Sequence, residues 1–306
     1  MCEEFISNVL FNNTNEVTRN VFDRMLAEYS EIHGSVLNND IHALEEILKK
    51  KTDINISDKG GRTVLHLAAS YNSPCIQRLL TFPGIDANKP DAVLKWTPLT
   101  YADKTKSWMA MDILLQNGAN PDDIVFARHN SKVQEWGQAA YWECATKGHI
   151  KLMEFMLNCG IQVNERVDVP ENLHEKRTLL HRASYFGQFE VVKLIVNRGA
   201  DINIRDAKNN TALHLAAESG SVDIIKLLLD KGMSVNLTNT HGFTPLHISA
   251  GFGNLEATKT LIHRGAALNN VNKCGDTPLT LASRRGHLEI CRFLTEISAD
   301  ITIRNA

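Results

Sequence analysis

The chain has 306 residues, 43% hydrophobic and 22% charged, with a formal net charge of −2. That is enough apolar material for a continuous core, and the charge balance excludes bulk attraction to nucleic acid or to a membrane surface. No apolar run reaches the roughly 18 residues of a membrane span, and the acidic start MCEEFISNVLF is not a secretory signal.

In residues 1–29, Val17, Val21, Phe22, Met25 and Leu26 fall on one face at helical spacing. A helical cap over the apolar side of the next element is expected there. From residue 30 one phrase recurs: TLLHRAS, TALHLAA, TPLHISA and TPLTLAS open at Thr178, Thr211, Thr244 and Thr277, 33 residues apart, and Gly199, Gly232 and Gly265 each follow 21 residues on. Gly84, Gly118 and Gly160 carry the register upstream to openings at Thr63, Thr97 and Ala139. Asp53-Ile54-Asn55, which matches Asp201-Ile202-Asn203, sets a degenerate first opening at Ser30. A fixed period of this length predicts a stacked array of about eight units over residues 30–306 instead of one globular core.

Within a unit the chemistry predicts two helices. Threonine is a good N-cap and proline suits the first helical position, so Thr244-Pro245 and Thr277-Pro278 read as helix starts. Nine residues after each opening stand Asn39, Asn72, Lys106, Gly148, Gly187, Gly220, Gly253 and Gly286. Glycine and asparagine tolerate the left-handed conformation that stops a helix, so Lys106 breaks the pattern. Second helices follow with apolar spacing, as at Ile224, Ile225, Leu227, Leu228 and Leu229 and at Ile290, Phe293 and Leu294.

Units three and four are the most disturbed. Trp96, Trp108, Trp136 and Trp142 all fall there, and Thr100 and Trp142 replace the recurring histidine. Gly118 to Ala139 is longer than the corresponding gap elsewhere, and a second insertion, RVDVPENLHEKR, precedes Thr178. Both insertions are expected to lengthen two adjacent hairpins. In the eighth unit the second helix, LEICRFLTEIS, stays apolar. That end is expected either to continue in a longer protein or to be covered by a partner or a second copy. The cysteines show no CxxC pair and no metal-ligand spacing, which suits the cytoplasm or nucleus.

The TPLHISA phrase and its period resemble the ankyrin repeat. The resemblance covers nearly the whole chain. It implies an all-α repeat solenoid, two antiparallel helices and a projecting β-hairpin per unit, which binds other proteins. It also implies that His33, His66, His181, His214 and His247 make hydrogen bonds between units, leaving no metal or catalytic site. No cofactor and no enzyme activity are expected.

By the same resemblance the partner surface is the concave side, formed by the hairpin tips and the ends of the first helices. Those positions hold Tyr71, Trp96, Trp136, Tyr185, Phe186, Phe243 and Phe252, more aromatics than the chain's 7% content would place there. Large rigid rings suit an interface core. Basic residues there, including Arg62, Arg177, Arg284 and Arg285, outnumber the acids Glu135, Glu175, Glu218 and Asp276. An acidic protein segment with apolar anchors fits that strip. The hairpin residues Asn55, Asn88, Asn164, Asn203, Asn236 and Asn269 match the family position open to an asparaginyl hydroxylase. The expected function is a non-catalytic adaptor or scaffold; the alternative is a target-recruiting array cut from a larger effector, such as a ubiquitin-ligase receptor, a channel or a toxin.

Overall fold

The computed structural model describes residues 31–49, 53–71, 73–125, 131–166 and 175–303; inside helices the side chains of 123, 125 and 131–138 lie outside that description. The helical face expected in residues 1–29 also lies outside it. The chain forms two compact units, Met1–Ala127 and Arg128–Ala306. The first holds α1 (Glu31–Leu37), α2 (Ile41–Lys49), α3 (Val64–Ser70), α4 (Cys75–Leu80), α5 (Pro98–Lys104), α6 (Trp108–Gln116) and the short α7 (Asp122–Val125). The second holds α8 (Ser131–Lys147), α9 (Ile150–Asn158), α10 (Leu179–Tyr185), α11 (Phe189–Asn197), α12 (Ala212–Ser219) and α13 (Val222–Asp230). It continues with α14 (Pro245–Phe252), α15 (Leu255–His263), α16 (Pro278–Arg284) and α17 (Leu288–Glu296).

Thr63, Thr97, Thr178, Thr211, Thr244 and Thr277 each hold an extended backbone at the N-cap of a first helix. Helix α8 departs from the expected plan. It starts at Ser131 and runs through Ala139, so no helix opens at Ala139. Among the described residues, the longer gap before Ala139 holds α7 and the start of α8, where a longer hairpin was expected. Of the second insertion, residues 167–174 lie outside the described residues. Where the end of a first helix is described, a left-handed residue follows it: Lys106 adopts φ 55, as Asn39 (φ 53) and the glycines do. At Gly253 (φ 82) there is a second reason for glycine, because an added Cβ would stand 2.8 Å from the His287 ring.

First helices pack side by side and bury Leu65, Leu99, Leu213 and Leu246 completely. Each such leucine contributes roughly 1.5–3 kcal/mol. Between neighbouring units polar contacts recur at fixed positions. The ring of His66 donates from Nε2 to the carbonyl of Trp96 at 3.0 Å, His214 to that of Phe243 at 3.1 Å and His247 to that of Asp276 at 3.0 Å. The Asn55 amide donates to Gly84 and accepts from the Asp86 N–H, and Asn236 treats Gly265 and Ala267 alike. A third contact had no expectation behind it: Gln188, Asn254 and His287 donate back to the carbonyls of Thr146, Ala217 and Gly251 at the ends of preceding first helices.

The fingers between units show only isolated bridges among the described residues. They are joined tip to tip by backbone bonds, Ala92 N–H to Gly60, Ala207 to Glu175, Thr240 to Lys208 and Lys273 to His241.

Candidate functional site

The ends of the first helices and the finger tips carry the residues that the sequence singles out. In the first unit Tyr71, at the end of α3, is 42% exposed. Trp96 is half-buried: its ring meets Tyr101 edge-on at 5.5 Å, and the Lys104 ammonium lies 5.4 Å from its centroid. It packs within its own unit. Arg62 is bound to Asp58 at 2.7 Å.

The finger before α5 holds what the sequence reading missed. Elsewhere an Asp or Asn accepts the N–H groups two and four residues on, as Asp206 does from Lys208 and Asn210. Thr97 opens 34 residues after Thr63, one more than the period. The finger keeps its backbone bond to Gly60 and expels the extra residue at its tip. Oδ1 of Asp91 accepts from Val93, Leu94 and Lys95, while Oδ2 accepts the Tyr101 hydroxyl at 2.8 Å. Asp91 is 1% exposed, whereas Val93 and Leu94 stand out at 69% and 40%. Burial and this bond push the Tyr101 hydroxyl well above its ordinary range. The extra residue in the spacing was the available signal.

In the second unit Trp142 occupies the histidine position of its repeat, and the Arg182 guanidinium lies 4.0 Å from its centroid. Arg182 stands where the neighbouring repeats have Leu215 and Leu281, so an arginine at an apolar position was the trace of this pair in the sequence. Phe186 meets Trp142 and Tyr185 edge-on at 5.9 and 5.1 Å, and Arg177 lies 5.2 Å over Tyr185. Glu175 approaches both Arg177 and Arg182, at 3.3 and 3.4 Å, and Asp206 reaches Arg177 at 3.5 Å. Arg177 is therefore buried and ion-paired, which corrects its reading as a surface cation. Beside it, burial pushes the Glu218 carboxyl up, while Arg177 and Lys208 pull it back.

Phe243 is half-buried against His247, and Arg284 is bound to Asp276 at 3.0 Å. Phe186 and Phe252 remain 41% and 49% exposed, and the exposed Arg285 lies 5.3 Å over the Phe252 ring. The side chain of Trp136 lies outside the described residues. Aromatic and basic residues on this face are thus not two separate signals, since Trp96, Tyr185 and Phe252 each carry one of the chain's own cations. The asparagines Asn88, Asn164 and Asn269 accept backbone N–H groups of the following unit, as Asn55 and Asn236 do. For Asn203 the bond shown is its own N–H, donated to Asp201.

At the far end of the second unit a groove of about 500 Å³ is lined by Leu279, Thr280, Cys291 and Ile301, among others. Thr280 stands at the histidine position and donates to Thr277 of its own unit. Among the described residues no group of His, Cys, Asp and Glu could hold a metal ion, and no helix is long and apolar enough to cross a membrane.

Capped helix pairs at a fixed interval, stitched by repeated side chains, define a helical repeat protein. A family model described as ankyrin repeats (3 copies) matches residues 32–125, 124–206, 141–239, 180–272 and 213–305, and the chain belongs to the ankyrin-repeat family. Ankyrin repeats generally mediate protein–protein interaction, and the family is generally non-enzymatic. An ankyrin repeat and KH domain-containing protein of Caenorhabditis briggsae is 28% identical over 58% of this chain, which spans 6% of that relative. The human transient receptor potential cation channel subfamily A member 1 is 27% identical over 56% of the chain, itself spanning 15% of the channel. A putative ankyrin repeat protein of fowlpox virus is 34% identical over 52% of the chain and 100% of its own length.

Proposed function

We propose that the protein is a non-catalytic adaptor of the cytoplasm or nucleus that holds a partner protein or peptide on the face of its first helices. The observation that carries this reading is the pair of exposed rings, Phe186 and Phe252, at equivalent ends of α10 and α14. Exposed aromatic residues held by a rigid scaffold bury much area at little entropic cost, which is what an interface anchor needs. Cations on the same face favour an acidic segment as the partner. Hydroxylation of the hairpin asparagines belongs to this reading too; mass analysis of protein made beside an asparaginyl hydroxylase should show the gain of single oxygen atoms. The test of the main reading is affinity capture with the wild-type chain and with a Phe186→Ser, Phe252→Ser variant, both checked by circular dichroism. Partners lost only from the variant support it, and identical sets reject it.

A second reading is that these repeats recruit a target for a larger protein. It is favoured by the small share of the worm and human relatives that the chain spans. Transcript sequence continuing in frame after Ala306 would support it.

A further inference from the structure

Four arginines occupy the positions read as partner-facing, and their surroundings separate them. Arg62 is held by Asp58, Arg177 by Glu175 and Asp206, and Arg284 by Asp276. Among the described residues no carboxylate pairs with Arg285, which is exposed with its guanidinium over the ring of Phe252. Stacking on a ring restrains the guanidinium while its N–H edge stays open, and that edge matches a carboxylate through two parallel hydrogen bonds. Half of the Phe252 ring remains exposed beside it. One place on the surface therefore offers an apolar contact and a pre-positioned cation together.

The other exposed ring is set apart by the fold. Phe186 and Phe252 close α10 and α14, with α12 between them. Two steps of helix packing at 8–10 Å each separate the rings by roughly 16–20 Å. An extended segment rises about 3.3 Å per residue, so it covers that distance in about five or six residues. Between them α12 presents the exposed Ser219, which leaves the path open. The charges differ at the two ends. Glu175, Asp206 and the half-buried Glu218 surround Arg177 on the Phe186 side, so that arginine does not offer an incoming carboxylate the open edge that Arg285 offers beside Phe252.

We propose that Phe252 and Arg285 form one recognition pocket for an acidic residue adjoining an apolar one, and that Phe186 takes a second apolar residue about five or six positions away in the same extended segment. This rests on the first-helix face being the binding surface, and adds which cation reads the partner and in what pattern.

The experiment is selection of a random-peptide display library on the full chain, with the selected peptides then titrated against variants of unchanged circular dichroism and thermal midpoint. Expected peptides carry two apolar residues at that spacing with Asp or Glu beside only one of them. Arg285→Glu should weaken them at least about ten-fold. Arg285→Lys should weaken them less, and Arg284→Gln should change little. Peptides without an acidic residue, or with binding lost in Phe252→Ser but unchanged in Arg285→Glu, would overturn the pocket while leaving the face intact. Peptides that bind the Phe186→Ser, Phe252→Ser variant as well as wild type would overturn both the pocket and the reading it rests on.

Discussion

Asp91 shows how much one residue can organise. Its carboxylate takes three backbone N–H groups and a tyrosine hydroxyl in a site 1% exposed, so removing it strands four donors at once. Asp91→Ala should cost about 3 kcal/mol or more in urea unfolding, whereas Val93→Ser with Leu94→Ser, which touches only the exposed tip, should leave the midpoint nearly unchanged. Gly253 makes the opposite case, a residue chosen for what it lacks. With φ 82 and the His287 ring 2.8 Å from an added Cβ, Gly253→Ala should cost at least about 1–2 kcal/mol. A smaller loss, measured the same way, would mean that the ring swings aside. Glycine at that position was readable as a helix stop; the approaching ring was not, because it comes from the following repeat.

At the scale of the element, the recurring histidine ties a helix start to its neighbour and in doing so selects its own protonation state. A carbonyl can only accept, so Nε2 of His214 carries the proton toward Phe243; the Thr211 N–H can only donate, so Nδ1 is bare. A second proton on Nδ1 would break the cap. Burial agrees, holding His181 and His214 at about 4 and lowering His33, His66 and His247 as well. The folded pKa lies below the unfolded value near 6.5, so the unfolded chain binds more protons between pH 6.5 and about 4. Stability present above pH 6.5 is lost as pH falls through that window. Between pH 7 and pH 5, His181 and His214 should each remove about 2 kcal/mol. Urea midpoints that do not move over that range would contradict the assignment. His214→Asn should be less stable at pH 7 but show a shallower pH dependence.

Across the molecule, stability in a stack is a sum of unit and nearest-neighbour terms. Within the second unit Leu213→Ala, at a fully buried position of α12, should cost about 3 kcal/mol. Hydrogen exchange should quicken most in α10, α12 and α14 and less in α16, because only the first three meet at that site. Equal acceleration along the whole unit would mean that it unfolds as one block. Leu288→Ala, where the side chain is 68% exposed, should change little.

The period, the helix starts at Thr63, Thr97, Thr178, Thr211, Thr244 and Thr277 and the family were legible in the sequence, because caps, helix stops and apolar spacing are local chemistry repeated at a fixed interval. Ala139 misled because its register came from a glycine downstream, whereas helix α8 already runs from Ser131 through that position. Which side chains face a partner was decided only by tertiary structure. Arg177 and Arg285 both read as partner-facing cations in the sequence, yet Glu175 and Asp206 close around the first while the second lies on Phe252. Asp206 and Phe252 arrive from other repeats, 29 and 33 residues away, and the energy of a charge depends on what the fold brings within a few ångströms of it.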